Sequence, residues 1–471
     1  PYHAIQTAVL TICGPALAHR SENRVSATES CRSLQAKTLR RPAIAIGLAG
    51  ATVFALNPIA ALCTLFAVAL LAMFAFSGLK VLALMTRARP RTGSPNPPIV
   101  ARLPKVSIMV ALYREAYIAA RLATRLGRLD YPRELLEILL VVEADDQLTR
   151  RALAHSDLPG WMRVVVVPDG TVRTKPRALN YALDHCSGDI VGVYDAEDMP
   201  EPDQILKVVQ RFHEVGPEVA CLQGLLDFYN PRTNWLARCF TIEYASWFRT
   251  FLPGIERLGL AVPLGGTTLF FRREVLDELG GWDAQNVTED ADLGLRLVRH
   301  GYRTELIDTV TYEEANCRAV PWVKQRSRWN KGYMMTWISH MRAPMQLWRQ
   351  LGPRRFLGFQ TLFLGAILQG LLAPLIWTFW LIPFGIWHPL SAVLPHASFV
   401  ALYLAMFAVQ GLTISFDIIG LRRTAHKLNP LWVPTLAVYH MMATLSAYKA
   451  LWELLTRPFY WDKTSHGHFD T

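Results

Sequence analysis

Charged side chains are scarce in this sequence. They make up 18% of 471 residues, whereas hydrophobic residues make up 51%. Soluble globular chains contain about 25% charged residues. The composition excludes disordered, collagen-like and coiled-coil chains, because so much apolar surface has to be buried. Acidic residues are also outnumbered, 38 against 49 basic ones, and the net charge of +11 favours phosphate-bearing ligands or an anionic membrane face.

Cysteine pairs at metal-binding spacing are missing. The seven cysteines are scattered, odd in number and without a CxxC motif, which argues against a zinc site or a disulfide framework. The N-terminal residues also lack the pattern of a signal peptide, in which a basic segment precedes an apolar one. Because the chain begins at Pro1 rather than Met, we expect residues 1–41 to be the remainder of a larger N-terminal region.

Charge is almost absent from a long N-terminal stretch. Lys80 is the only charged residue between positions 43 and 85, and Asn57-Pro58 interrupts the apolar run. This pattern predicts a transmembrane hairpin over residues 42–86. Basic residues lie on both outer sides of the hairpin, which by the positive-inside rule places both ends in the cytoplasm.

Apolar residues dominate again in the C-terminal region, 341–471. It begins with interface helices and contains predicted transmembrane helices at about 370–387 and 397–418. A third apolar segment, 431–455, carries charges and is expected to lie at the interface rather than to cross. We therefore predict four spanning helices and two cytoplasmic termini.

The region between the membrane segments, 100–340, alternates short β-branched runs with helix-patterned stretches at 116–128, 176–186 and 201–215. This order predicts a parallel sheet covered on both faces. Ligands of such sheets bind beyond the carboxyl ends of the strands, so acids directly after strands are candidates. The predicted strands are Val106–Ala111, Glu137–Val142, Arg163–Val167 and Asp189–Tyr194.

Acidic clusters follow two of these predicted strands. One contains Glu143 and Asp145, and the other contains Asp195, Glu197 and Asp198. Carboxylates at this spacing can bind a hard divalent cation together with substrate phosphates. A solvated acidic turn has the same composition, so neither cluster alone is decisive.

Three further segments carry residue types suited to chemistry. The basic sequence at 173–180 enters a helix, where it can hold phosphates or form an ordinary exposed turn. Asp290, in the TED sequence 288–290, can act as a general base, although a Thr288 N-cap followed by acids has the same pattern. Residues 322–332 combine basic side chains with two tryptophans, which suits phosphate and sugar recognition, a nucleic-acid patch or a membrane-surface helix.

Together and in this order, these motifs resemble those of a known enzyme family. Asp145, the DAED at 195–198, the TED at 288–290 and the QRSRW at 325–329 resemble the D, DxD, TED and QxxRW motifs of processive family 2 (GT2) glycosyltransferases, such as bacterial cellulose synthase. The resemblance runs from about residue 42 to the C-terminus. Within the family the sequence most resembles the phage-adsorption-protein-B type, through residues 194–198 and 459–467.

The resemblance implies a GT-A, Rossmann-like catalytic domain in the cytoplasm, inserted between membrane helices of a bacterial inner-membrane protein. It implies an inverting hexosyltransferase that uses UDP-glucose or a UDP-N-acetylhexosamine with Mg²⁺ or Mn²⁺. The product would be a β-linked polysaccharide that crosses the bilayer as it grows. Accessory secretion subunits and a cyclic-dinucleotide regulator stay open as partners, whereas nucleic acid is not expected, because the basic residues cluster near membrane edges.

Residue roles follow from the same resemblance. The residues implied to bind the nucleotide sugar are Leu112, Tyr113, Glu115, Glu143, Asp145, Lys175 and Asp195. Those implied to hold the metal are Asp195, Glu197 and Asp198, and those implied in catalysis are Thr288, Glu289 and Asp290, with Asp290 as base. Those implied to hold the acceptor or diphosphate are Gly266, Thr267, Gln325, Arg328 and Trp329. Those implied in a gating-like tail are Trp461, Lys463, Thr464 and His466.

Two departures from the family pattern leave alternatives open. The third DxD position is Glu197, followed by Asp198, so either residue is a candidate metal ligand. Glu143 is an alternative to Asp145 at the nucleotide. A non-processive glycosyltransferase with a lipid acceptor is the second functional hypothesis. A non-catalytic secretion or phage-receptor membrane component is the third, and the complete set of acids disfavours it.

Overall fold

The computed structural model describes residues 2–87, 100, 102–115 and 118–461. At its centre is an eight-stranded sheet with the order β3-β2-β1-β4-β7-β6-β8-β5. The strands are β1 Val106–Leu112, β2 Leu136–Glu143, β3 Met162–Val167, β4 Ile190–Tyr194, β5 Met199–Pro200, β6 Val219–Phe228, β7 Leu269–Arg272 and β8 Arg303–Glu313.

The helices of the described residues surround this sheet or extend from it. They are α1 Tyr2–Glu22, α2 Ala36–Leu56, α3 Pro58–Arg87, α4 Ile118–Leu126, α5 Gln147–Ala154, α6 Lys175–Leu183, α7 Gln204–Glu214, α8 Trp235–Ser246, α9 Leu252–Arg257, α10 Arg273–Glu278, α11 Glu289–Arg299, α12 Ala319–His340, α13 Pro344–Phe359, α14 Gly365–Trp377, α15 His396–Leu421 and α16 Leu436–Thr456.

The sheet is mixed rather than wholly parallel as predicted. Strands β1 to β4 correspond to the four predicted strands within one residue at either end, and they pair in parallel. Strand β7 runs antiparallel to both β4 and β6, whereas β6 and β8 are parallel to each other. The predicted parallel arrangement therefore holds for β1 to β4, β6 and β8, whereas β7 and the two-residue β5 run in the opposite direction.

Helices cover both faces of the sheet, because alternate residues of each strand point to opposite sides. Ile108 and Val110 belong to a buried cluster that includes Leu122 of α4 and Ile205 of α7. Met109 belongs to a second cluster with residues of α6, α9, α10 and α11. Both faces are thus dry, as the continuous apolar runs of the parallel strands require.

Four helices of the described residues are long and apolar enough to cross a membrane by length and composition: Ala36–Leu56, Pro58–Thr86, Pro344–Phe384 and His396–Leu421. Their number agrees with the prediction, whereas the first and third begin earlier than predicted. Within the third, Gly352 adopts a φ of +71°, which glycine tolerates best, and separates the predicted interface segment from the apolar part. Helix α16 is not among the four candidates.

Candidate active site

A cavity of about 880 Å³ lies at the carboxyl ends of the central strands. Its wall extends from Leu112, the last residue of β1, and Tyr113 to Ala366 of α14, which is part of the third candidate membrane helix. Carboxyl ends of strands are where open α/β sheets bind ligands. The volume is near the upper end of the usual range for small-molecule sites, about 300–1,000 Å³.

The segment after β1 forms one end of the cavity. Tyr113 and Glu115, which the family resemblance implies at the nucleotide, line this end. The turn is held from α5: Asp146 Oδ2 accepts from Arg114 N at 2.5 Å, and Thr149 Oγ1 accepts from Glu115 N at 2.8 Å. Arg114 has a φ of +58°, so these two bonds hold a backbone conformation that L-residues rarely adopt.

Glu143, rather than Asp145, reaches the cavity wall from β2. The Glu143 carboxylate pairs with the fully buried Arg177 guanidinium at 3.0 Å, and burial raises the pKa of Glu143 to about 7 against that attraction. Asp145 Oδ2 lies 2.5 Å from Arg173 Nη1, whose side chain lines the cavity. Asp145 therefore acts on this end of the cavity through Arg173.

Asp195 and Glu197 bring carboxylates to the cavity from the end of β4. Lys175, at the start of α6, donates to Asp195 and, at 2.9 Å, to the Gly266 carbonyl. Burial opposes the charge of Lys175, but the charges of Asp195 and Glu289 raise its pKa above the usual range. The lysine thus links the acidic turn to the loop that carries Gly266.

Asp198 has a different position from its two neighbours. It is fully buried, and its Oδ2 accepts from Asp195 N at 2.8 Å and from the Thr267 hydroxyl. Neither Asp198 nor Thr267 lines the cavity. The two residues fix the turn that presents Asp195 and Glu197, so the geometry favours Glu197 over Asp198 as the second acid of the motif.

Glu313, at the end of β8, is an acid of the site that the sequence analysis missed. It lines the cavity, and its buried Oε1 has no hydrogen-bond partner. Burial and the charges of Asp198, Asp195 and Glu197 raise its pKa well above the usual range. The rule of acids after strands would have found Glu313 if β8 had been predicted.

In the described residues no group of three or more acids, histidines or cysteines suits a metal on its own.

Asp290 lies in the first turn of α11 and faces the cavity. Its Oδ1 accepts from Ala291 N at 2.8 Å, which leaves Oδ2 for another partner. Burial raises the pKa of Asp290, while Lys175 and Arg328 lower it. Burial and the neighbouring Asp290 charge also raise the pKa of Glu289. Thr288 precedes the helix but makes no capping hydrogen bond, so the simple N-cap interpretation of this motif is not what the structure shows.

The QRSRW sequence lies on α12, at the other end of the cavity. Gln325, Arg328 and Trp329 line it, and Gln325 accepts from Asn316 at 2.8 Å. Arg326, to which the sequence analysis gave no role, also lines it. Its Nη1 lies 2.7 Å from Glu243 Oε1. Three rings surround the Arg326 guanidinium at 4.7–5.1 Å: those of Phe240, Trp322 and Trp329.

Aromatic side chains that sequence analysis did not single out complete this wall. They come from α8, from the π-helical segment Trp247–Phe251 that follows it, and from α12, and these elements meet through the fold of the whole chain rather than through a local motif. These residues are Tyr244, Trp247, Phe248 and Tyr333.

The C-terminal segment closes against the same helix. Trp461 lines the cavity and lies under the Arg328 guanidinium, 4.9 Å from ring centre to Cζ. Lys331 Nζ donates to Glu453 at 2.9 Å and to the Tyr460 carbonyl at 2.6 Å. Three residues of the predicted gating-like tail lie outside the described residues: Lys463, Thr464 and His466.

The sheet topology and the acids at its strand ends define the class of protein: a GT-A-like α/β glycosyltransferase fold flanked by apolar helices. Residues 104–332 match the family model described as "Glycosyltransferase like family 2".

Three known proteins indicate the range of similarity. The beta-monoglucosyldiacylglycerol synthase of Synechocystis sp. is 29% identical over 378 residues, which cover 77% of this chain and 75% of the relative. The cellulose synthase 1 catalytic subunit of Komagataeibacter xylinus is 27% identical over 270 residues, 56% of this chain and 34% of the relative. Mannosyltransferase PcManGT of Pyrobaculum calidifontis, solved with GDP-Man and Mn²⁺, has a TM-score of 0.54 at 21% identity and covers 83% of this chain and 99% of its own. The likeness to this last structure shows the fold alone.

Proposed function

We propose that this protein transfers a sugar from a nucleotide diphosphate sugar to a hydroxyl group of a membrane lipid, with inversion at the anomeric carbon. One observation carries the proposal: a single cavity joins the acids after β4 and the base candidate Asp290 to the membrane helix α14 at Ala366. The relative that matches 77% of this chain is named for a glycolipid product, which supports a lipid acceptor.

The donor is proposed to lie at the β1–β4 end of the cavity. Lys175 and Arg173 supply positive charge for a diphosphate, and Tyr113 offers a ring to the nucleobase. All three side chains line the same cavity, which supports a common role in donor binding. UDP-glucose and a UDP-N-acetylhexosamine both remain candidate donors.

A divalent cation fits the acids of this wall. Asp195 and Glu197 provide two carboxylates, and the unpartnered Oε1 of Glu313 faces the same region. Mg²⁺ in proteins is commonly held by one or two carboxylates together with substrate phosphates, which matches this donor set. Mg²⁺ or Mn²⁺ bound there would neutralise charge on the leaving diphosphate.

Asp290 is proposed to accept the proton of the attacking hydroxyl. Its position on the cavity wall and its raised pKa suit a general base, since a base with a pKa nearer to neutrality removes a proton more effectively. Lys175 keeps the donor end positive while Asp290 stays anionic. A single displacement of the diphosphate then inverts the anomeric centre, so an α-linked donor gives a β-linked product.

The acceptor is proposed to enter from the bilayer. Trp247, Phe248, Tyr333 and Ala366 give this end of the cavity an apolar wall that suits the glycerol and first acyl carbons of a lipid. Arg328 and Gln325 offer polar groups to the acceptor's hydroxyl end. The catalytic domain and both termini are proposed to lie in the cytoplasm of a bacterial inner-membrane protein.

Processive synthesis of a β-linked polysaccharide is the second candidate. The QRSRW motif and the gating-like tail that includes Trp461 favour it, since both resemble motifs of cellulose synthase. A special relationship to the phage-adsorption-protein-B type also stays a prediction.

Product analysis separates these candidates. Purified protein in nanodiscs that contain diacylglycerol would receive radiolabelled UDP-glucose, UDP-N-acetylglucosamine or GDP-mannose, with Mg²⁺ or Mn²⁺. Label in the organic phase, sensitive to a β-glycosidase, is the expected result. Label in a high-molecular-weight aqueous product would favour the polysaccharide, and no transfer from any donor would contradict both.

A further inference from the structure

The N-terminal residues form a strap across the catalytic domain. We define this N-terminal strap as residues 17–34, from the end of α1 onward. Arg24 pairs at 2.6 Å with Asp184, directly after α6, and at 2.5 Å with Asp277 in α10. Asp283 accepts from Ser30 Oγ at 2.8 Å and from Cys31 N at 2.7 Å. These polar contacts hold the strap against α6 and α10 and against the turn before α11.

One residue of the strap, Glu22, contacts the backbone of a loop at the donor end of the cavity. The Glu22 carboxylate accepts from Thr171 N at 2.6 Å, from Thr171 Oγ1 at 2.6 Å and from Val172 N at 3.2 Å. Its Oε1 also lies 3.6 Å from Arg177 Nε. Glu22 is only 6% exposed, so these are buried interactions of a charged acceptor, which are stronger than neutral hydrogen bonds.

The backbone that Glu22 holds belongs to a loop of the proposed donor site. We define this donor loop as residues 169–175; Thr171 to Lys175 line the cavity. From this loop Arg173 reaches Asp145 at 2.5 Å, and Lys175 reaches Asp195. A displacement at Thr171 would therefore move two basic side chains that face the diphosphate position.

The fit between strap and loop is tight at Gly170. A Cβ at this position would lie 2.3 Å from Glu22 Oε1 and 2.9 Å from the Arg177 guanidinium. The absence of a side chain at Gly170 is thus what allows Glu22 to approach the loop backbone.

We propose that Glu22 is a positioning residue for the donor: it holds the donor loop so that Arg173 and Lys175 face the diphosphate. The inference rests on the proposed function only in taking the cavity as a nucleotide-sugar site. The N-terminal strap thereby contributes to donor affinity although it lines none of the cavity.

The test compares Glu22→Gln with Arg20→Ala. Arg20 lies on the same helix, and its 3.5 Å contact with Asp184 is exposed, so this variant removes a charge without affecting the loop. We expect Glu22→Gln to raise the donor KM about tenfold with little change in kcat, as the loss of a buried charge-assisted bond implies. We expect Arg20→Ala to keep the wild-type KM, and the amides of Thr171 and Val172 to exchange hydrogen faster in Glu22→Gln alone.

A second variant guards against a general folding defect. Thr171→Ala removes only the hydroxyl donor, so it is expected to raise the donor KM less than Glu22→Gln, and the double variant to show less than the product of the two effects. A Glu22→Gln protein with wild-type donor KM and wild-type exchange at Thr171 would overturn the inference. A wild-type protein that binds no nucleotide sugar would refute the proposed function and, with it, the role in donor binding.

Discussion

Asp290 lies on the wall of the cavity, and burial raises the pKa of its carboxyl group above that of an exposed aspartate. Only the deprotonated carboxylate can accept a proton. Because the pKa is raised, protonation inactivates Asp290 at a higher pH than it would an exposed aspartate, whose pKa is about 3.9.

The pH dependence of kcat/KM follows from the upward shift of the Asp290 pKa. We expect kcat/KM to be full above the raised pKa and to fall tenfold per pH unit below it, with the acid limb well above pH 4. The measurement is a pH series of kcat/KM at saturating metal for the wild type and for Asp290→Glu. The substitution should shift the acid limb of this profile. An acid limb at the pKa of an ordinary aspartate in both proteins would contradict Asp290 as base.

Glu197 and Asp198, the two acids that follow Asp195, are predicted to have different roles. Glu197→Gln removes a carboxylate from the cavity wall, so the metal concentration for half-maximal activity should rise about tenfold or more, with little change in Tm. Asp198→Asn disturbs a fully buried carboxylate that accepts from Asp195 N and Thr267, so Tm should fall. Metal titration and thermal unfolding check both; the reverse pattern would identify Asp198 as the ligand.

The positions of acids on the cavity wall were predictable from sequence where the acid belongs to a short motif, whether at the end of a recognisable strand or at the start of a helix. Asp195, Glu197 and Asp290 belong to short motifs, and each lines the cavity. Glu313 was missed because β8 was not predicted. The partnership of Arg326 with Glu243 was missed because these residues are 83 positions apart and no local pattern pairs them.

At the scale of elements, α12 approaches the TED motif unusually closely. A Cβ at Gly332 would lie 2.1 Å from Thr288 Oγ1 and 2.6 Å from Thr288 Cβ. Thr288 is buried, so it has little room to move. The glycine thus sets the distance between the helix of the QRSRW motif and the turn that presents Asp290.

Gly332→Ala is therefore expected to separate α12 from α11. We expect a loss of stability of about 1–3 kcal/mol, typical of overpacking, together with a fall in kcat. Gly411→Ala is the matched control, because Gly411 is also helical and a Cβ there meets nothing within 4 Å. Thermal unfolding and transfer assays measure both effects; a Gly332→Ala protein that behaves like Gly411→Ala would show that the close approach is unimportant.

The elements of the sheet were predictable only in its first half. Strands β1 to β4 are short β-branched runs separated by helical patterns, which is the signal of a parallel sheet. Strand β7 has only four residues, and β6 is an apolar run that periodicity cannot distinguish from a buried helix. The antiparallel insertion of β7 therefore depends on pairing between distant segments.

At the scale of the whole molecule, the number of candidate membrane helices in the described residues could be predicted but the N-terminal strap could not. Long charge-free runs identify membrane helices by composition alone. The strap is held instead by polar pairs between distant positions, such as Glu22 with Thr171 and Ser30 with Asp283. Nothing in the local sequence of residues 17–34 indicates these partners.

The fold of the whole chain also explains why one cavity combines such different walls. Its acids come from the ends of the central strands, the proposed base Asp290 from α11, its aromatic side chains largely from α8, α12 and the segments that follow α8 and α16, and Ala366 from α14. A soluble donor and the proposed membrane-embedded acceptor can meet only where these parts join. The account's central claim is that chemistry occurs at this junction, with Asp290 as the base.

The most direct test measures transfer and donor binding together for wild type and Asp290→Asn in diacylglycerol nanodiscs. The account predicts that both proteins bind the nucleotide sugar with similar affinity, whereas transfer of label to lipid falls by a factor of about 10²–10⁴ in the variant. An Asp290→Asn protein that transfers sugar at the wild-type rate would contradict the account.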